Sequence, residues 1–386
     1  SGKPAYANAV SRRNNLLLAI NYAFNDTYFA DINGRMDGST AFGSARKYTP
    51  FWSMGVGWNL HKNILSGIKT FNLLRLKGSI GYTGNQNIGS TSSTSTYTFE
   101  QGINYFGQGM TLTTLGNAGL RWQKTLTTNI SIDYGLLDNR ISGYVNIYEK
   151  NTDPLVIVLD LPASTGVYGY ATNAGRLNTR GIEFNIRYAP IYRLKDRIIW
   201  TIGVNGASIL SQYGKFGSSL AGIDKKLVES KSLTRYRDGY SPDDIWAVQS
   251  LGIDPATGRE IFLKTDGQQT FDYSTNDIVR IGNARPKLEG VINNTVTYKG
   301  FNLGLFIRYR YGGDIFNTVL YEKVENISIE GLKSNQDKRA LYERWQNPGD
   351  VTQFKSISST SSTPASSRFI QDNNMLIGES ISLGWQ

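Results

Sequence analysis

The chain has 386 residues, no cysteine and a formal net charge of +10. Without thiols it can hold no disulfide framework, thiolate metal site or cysteine nucleophile; its dispersed Lys and Arg argue against nucleic acid and suit an anionic lipid surface. Only 39% of the residues are apolar, yet 12% are aromatic and 41 are glycine, a balance that favours many twisted strands over helices.

The chain opens at "SGKPAYANAV", with neither an initiating Met nor a signal peptide, and reads as the interior of a longer polypeptide. No run of 18 apolar residues offers a spanning helix. From there onward, period-two alternation recurs. Leu18, Ile20, Tyr22 and Phe24 alternate with Ala19, Asn21 and Ala23. In "FWSMGVGWNL" (51–60), Trp52, Met54, Val56 and Trp58 face away from Ser53, Gly55, Gly57 and Asn59. The same pattern predicts about eleven strands, near 15–24, 28–38, 50–60, 73–84, 120–136, 140–157, 174–190, 197–211, 285–299, 301–315 and 369–386. Each has one apolar and one polar face.

The connections are not symmetric. Short turns at 25–27, 138–139 and 299–300 alternate with long polar loops near 85–119, 211–284 and 317–368. The Ser/Thr-rich patches at 90–98 and 356–367 read as mobile or solvated loop tips. A sandwich would bury its apolar faces against each other and have short connections at both ends. Alternating short and long connections instead predict an all-β fold, an antiparallel transmembrane β-barrel with long extracellular loops. Lipid is then the partner of the apolar face, closure satisfies the backbone inside hydrocarbon, and the polar face lines the lumen.

Catalytic and metal chemistry find little support. The single histidine, His61, ends a strand beside a short turn and reads as structural. Asp243 and Asp244 are adjacent, which rarely gives the facing geometry that paired carboxylates need, and read as turn-capping groups. Asp254, Thr257 and Glu260 lack the dense oxygen spacing of a calcium loop; Gly258 at positive φ in a hairpin turn explains "DPATGRE" better. "GYTGNQNIG" has no Lys and follows no strand–helix unit, so it is not a phosphate loop. Arg35 and Asp37 share the polar face of their strand and are expected in lumen-side polar networks. No cofactor is expected.

Several blocks, taken in order, resemble the SusC/RagA family of TonB-dependent outer-membrane transporters. They are "RMDGSTAFG" (35–43) with "FWSMGVGWNL" (51–60), "LLRLKGSIGYTGNQNIG" (73–89), "LRWQKTLTTNISIDYGLLDNRISGYVNIYEKNTDPLV" (120–156), "NAGRLNTRGIEF" (173–184), "LGIDPATGREIF" (251–262), "RPKLEGVINNTVTYKGFNLGLFIRYRYGGDIFN" (285–317) and "RWQNPGD" (344–350). The opening "GKPAYANAV" fits no block. The resemblance implies a 22-stranded barrel in a Bacteroidota-type outer membrane, of which residues 1–386 form part as a single barrel domain. The plug domain and TonB box would lie outside this chain. It further implies a SusD-like surface lipoprotein as lid, energy from TonB, and contact with lipid and lipopolysaccharide. The expected activity is import of glycans and not catalysis. The alternatives are import of oligopeptides or another nutrient, or a structural or assembly role.

Aromatic rings in the predicted extracellular segments are the candidate contacts. Tyr97, Phe99, Tyr105, Phe106, Tyr168, Tyr170 and Trp246 all lie there, and a ring can pack on the C–H face of a sugar while its polar tip stays wet. Tyr168 and Tyr170 in "STGVYGY", Trp246, and the pair Tyr105 and Phe106 are the expected ligand or lid contacts.

Overall fold

The structure, a computed structural model, describes residues 12–39, 48–85, 93–161, 163–167, 169–217, 233, 235–328, 330–356 and 361–385. The chain begins with β1 (Arg13–Phe24), β2 (Tyr28–Ser39), β3 (Tyr48–Asn59) and β4 (Phe71–Asn85). A hairpin of β5 (Thr96–Asn104) and β6 (Gly107–Thr114) precedes β7 (Gln123–Leu136) and β8 (Ile141–Thr152). A second hairpin, β9 (Val156–Asp160) and β10 (Gly169–Asn173), leads into β11 (Arg176–Arg193) and β12 (Ile198–Gly214). Then come four short strands, β13 (Asp244–Ile253), β14 (Glu260–Leu263), β15 (Gln269–Thr270) and β16 (Ile278–Asn283). The chain closes with β17 (Leu288–Tyr298), β18 (Phe301–Tyr311), β19 (Asp314–Phe316), β20 (Ile370–Asp372) and β21 (Met375–Trp385).

Eleven long strands form one antiparallel sheet in the order β1-β2-β3-β4-β7-β8-β11-β12-β17-β18-β21. They are the eleven expected from alternation. Three boundaries differ clearly. The strand expected over 140–157 stops at Thr152, because Pro154 has no N–H to continue the ladder, and the chain turns there into β9. The strands expected over 301–315 and 369–386 are shortened to β18 and β21, because β19 and β20 leave the large sheet and pair with each other. The short turns sit at one end of the sheet, where Asn25 and Asp26 (φ 49° and 50°), Asp138 and Asn139 (55° and 60°) and Lys299 with Gly300 (46° and 101°) adopt left-handed backbone. Asn, Asp and Gly tolerate that region best. The long connections 86–122, 153–175, 215–287 and 312–374 all leave the opposite end.

Register makes the two faces explicit. One cross-strand row reads Val56, Gly78, Ile130, Ile147 and Ile182; the next row, pointing the other way, reads Gly57, Lys77, Ser131, Asn146 and Glu183. Large apolar side chains such as Leu18, Met54, Ile132, Ile186 and Leu303 stay exposed on the first face. Aromatic pairs flank it: Tyr28–Trp58 and Phe301–Trp385 near the short turns, Trp52–Tyr82 toward the long loops. An apolar band between aromatic girdles over an inward polar face is the surface of an outer-membrane barrel.

Small residues let rings lie flat across the sheet. Tyr309 donates its hydroxyl to the Asn205 carbonyl at 2.9 Å. A Cβ on Gly290 would collide with that carbonyl and stand 2.7 Å from the Tyr309 oxygen.

The long connections are folded units with their own apolar cores. Leu155, Ile157, Leu159 and Phe216 form one around the β9–β10 hairpin. Trp246, Val248, Phe262 and Ile278 form a second inside the sheet β15-β14-β13-β16. Leu320, Val324, Ala340, Phe354 and Phe369 form a third in the β18–β21 connection. The reading of 356–367 as a solvated tip is corrected for its described part: Thr363 and Ser366 are buried, because their hydroxyls satisfy buried carboxylates. Residues 357–360 lie outside the described residues, as do 90–92 of the other patch, while 96–98 begin β5.

Candidate functional site

At the loop end, the turn before β13 is built by polar capping. Asp244 accepts from the Ser241 amide (2.7 Å) and the Asp243 amide donates to the Ser241 hydroxyl (3.1 Å). Both carboxylates are then paired, Asp244 with Arg280 (2.7 Å) and Asp243 with Arg285 (3.0 Å), which fixes the start of β13 against β16 and the segment leading into β17. Trp246 follows on β13. Its ring is 6% exposed, lies 5.1 Å from Tyr240, and has the Arg237 guanidinium 5.3 Å from its centroid. One side of this core borders a cavity of about 430 Å³ lined by Tyr213, Asp243, Trp246 and Phe316, among others.

The other expected contact residues are dispersed. Tyr105 and Phe106 are 96% and 93% exposed at the tip of the β5–β6 hairpin, their rings edge to face at 5.2 Å. Tyr97 and Phe99 lie exposed on the same hairpin. Tyr170 is half-buried on β10, opposite Leu159. Tyr168 lies outside the described residues. The β9–β10 hairpin is tied down by Asn117, which donates to the Ala171 carbonyl (3.0 Å), and by Asn173, which accepts from the Arg121 amide (2.7 Å).

A charged cluster that no sequence pattern announces locks two loops together. Arg368 pairs with Glu260 at 3.0 Å and with Glu325 at 2.7 Å. Ser366 donates to Glu260 (2.5 Å) and Thr363 to Glu325 (2.9 Å). Glu325 is almost wholly buried. Burial acts to raise its pKa, but the hydrogen bond and charge of Arg368, with Thr363 and Lys355, outweigh it and hold the carboxyl below the ordinary range. Arg344, also buried, donates to the carbonyls of Ala340 (2.8 Å) and Glu325 (2.8 Å), satisfying the ends of two helical turns. Glu260 therefore serves loop docking. Asp254 caps its own turn, accepting from Thr257 Oγ1 at 2.6 Å, with Gly258 at φ +69°.

On the inward face, Lys77 and Asp133 pair at 2.8 Å, Arg35 and Asp37 at 2.8 Å, Arg310 and Glu289 at 3.3 Å, and Arg308 pairs with Glu379. The first of these pairs lines a cavity of about 600 Å³ with Asp31, Arg75, Asn129 and Asn146. The side-chain oxygens of Asn129 and Asn146 are buried with no hydrogen-bond partner among the described residues. His61, at the short-turn end, accepts from the Leu74 amide at 3.3 Å through Nδ1, a structural contact.

No protein-family profile matches the chain. It is 25% identical to TonB-dependent receptor P39 of Formosa agariphila over 92% of this chain and 38% of that protein. It is 26% identical to TonB-dependent receptor SusC of Bacteroides thetaiotaomicron over 82% of this chain and 33% of SusC. The RagAB peptide transporter superposes with a TM-score of 0.80 at 22% identity, covering 97% of this chain and 41% of that one. The chain is SusC/RagA-like. It spans well under half the length of the curated relatives it matches. As a SusC/RagA-like chain it belongs to the bacterial outer membrane, with its short turns on the periplasmic side and its folded loops outside.

Proposed function

We propose that residues 1–386 are part of a single barrel domain of a TonB-dependent importer, plugged by a domain outside this chain and closed by a SusD-like surface lipoprotein. The observation that carries this reading is the eleven-stranded sheet with an apolar outward face, a polar inward face and folded loops at one end only. Closed by further strands into a barrel, such a sheet would line one side of a polar passage. The chain is not an enzyme: its relatives are receptors, and its single histidine serves the backbone of β4.

The substrate class we assign first is the oligosaccharide, on the exposed rings of the β5–β6 hairpin. Oligopeptides are the second reading, favoured by the likeness to the RagAB peptide transporter and by the cations and carboxylates of the inward cavity. The test is native mass spectrometry of the full-length protein, isolated from outer membranes with its companions and offered defined mixtures of oligosaccharides and oligopeptides. Retained oligosaccharides support the first reading and retained peptides select the second. Retention of neither, in a complex that carries plug and lid, overturns import of both classes.

A further inference from the structure

Over β7, β8 and β11 the outward face turns from apolar to polar, and the residues at that change form a site that import does not use. Thr128 on β7, Glu149 on β8 and Arg180 on β11 occupy one cross-strand row, with Asn151 and Asn178 paired in a row nearer the loops. All point the same way as Ile130, Ile147 and Ile182, which lie toward the short turns. Ile80 on β4 and Leu210 on β12 continue the same row on either side, so the polar group over β7, β8 and β11 lies at the edge of the apolar band. Ile130, Ile147, Ile182 and Ser208 directly below it, with Leu210 level with Arg180, wall an open groove of about 510 Å³ that Arg180 and Glu149 border.

The hydrogen bonding leaves Arg180 available. Glu149 Oε1 takes its best bond from Asn178 Nδ2, at 2.6 Å, and only long ones from Arg180 Nε and Nη2, both 3.3 Å. Bonds of that length lie at the weak limit for an N–H donor. Arg180 Nη1 has no acceptor among the described residues, and the side chain is 68% exposed. A guanidinium at the edge of hydrocarbon is stabilised when a phosphate oxygen takes its remaining donors, since its planar fork matches that group.

We propose that this groove binds one anionic, phosphate-bearing lipid of the outer leaflet, its headgroup on Arg180 and an acyl chain along Ile147, Ile182 and Leu210. Charge complementarity above and an apolar trough below are the two halves of such a ligand. The site stands on the outward face alone and is independent of what the lumen carries.

The experiment is native mass spectrometry of the full-length protein in mild detergent, titrated with phosphatidylglycerol, with phosphatidylcholine and with inorganic phosphate. One phosphatidylglycerol should be retained in preference to phosphatidylcholine. Arg180→Ala should lower that retention about five-fold, the factor one basic side chain supplies at an anionic surface. Glu149→Gln, which removes the competing carboxylate and keeps the guanidinium, should raise it, so the proposal stays testable if the alanine variant assembles poorly. Equal retention of the two lipids, no change in Glu149→Gln, or competition by millimolar inorganic phosphate in place of lipid would overturn it.

Discussion

At the scale of single residues, the strongest commitment in the molecule is the cluster of Glu260, Glu325 and Arg368. Two carboxylates from different loops share one guanidinium, and Glu325 has almost no access to water. Arg368→Met therefore leaves two buried acids without their cation and should destabilise the loop assembly by about 3–5 kcal/mol. Faster proteolysis between 254 and 368, with the sheet itself intact, is the expected readout. The pH dependence has a fixed sign. The folded pKa of Glu325 is depressed, so its contribution is present above the ordinary carboxylate pKa and is lost as pH falls below that ordinary range through the folded value. Tryptophan fluorescence followed from pH 7 to pH 3 should report loop opening in that lower window, and Glu325→Gln should shift or abolish the transition. None of this was legible in the sequence. Glu260 stood out only as a member of "DPATGRE", and its partner lies 108 positions away, beyond the reach of any local pattern.

At the scale of elements, the membrane strands were legible and the loop strands were not, for one physical reason. A strand between lipid and lumen must alternate strictly, so its period shows in the sequence. The strands β13 to β16 pack against one another and against neighbouring loops, so burial there follows local shape: Trp246, Ala247 and Val248 are all buried in succession. This difference separates Trp246 from the other expected contacts Tyr105 and Phe106. Trp246→Ala removes a packed indole and should cost the four-stranded sheet about 3–5 kcal/mol, so any loss of uptake would come with loop disorder. Tyr105 and Phe106 stand outside every apolar core. Replacing both with Ser should leave assembly unchanged and weaken substrate or lid binding about three- to ten-fold, the range of one or two ring contacts. Titration of the purified full-length variant decides it. Unchanged binding removes the hairpin tip from the site.

At the scale of the whole molecule, one sheet does two jobs with opposite solvents on its faces. The same register that places Ile132 toward lipid places Ser79 toward the lumen. Exposure alone cannot tell the faces apart, since residues on both are accessible; the difference lies in what each face meets. A paired substitution separates them. Ile132→Lys puts an ammonium into the hydrocarbon band and should cost about 2–4 kcal/mol near its centre, read as a lower midpoint in urea for refolding into vesicles. Ser79→Lys, on the exposed inward face beside Lys77, should shift that midpoint by a small fraction of this amount, through like-charge repulsion alone. Equal and large losses at both positions would mean that the inward face is packed rather than wet. Losses at Ser79 alone would invert the assignment of faces, and with it the passage, the girdles and the lipid groove.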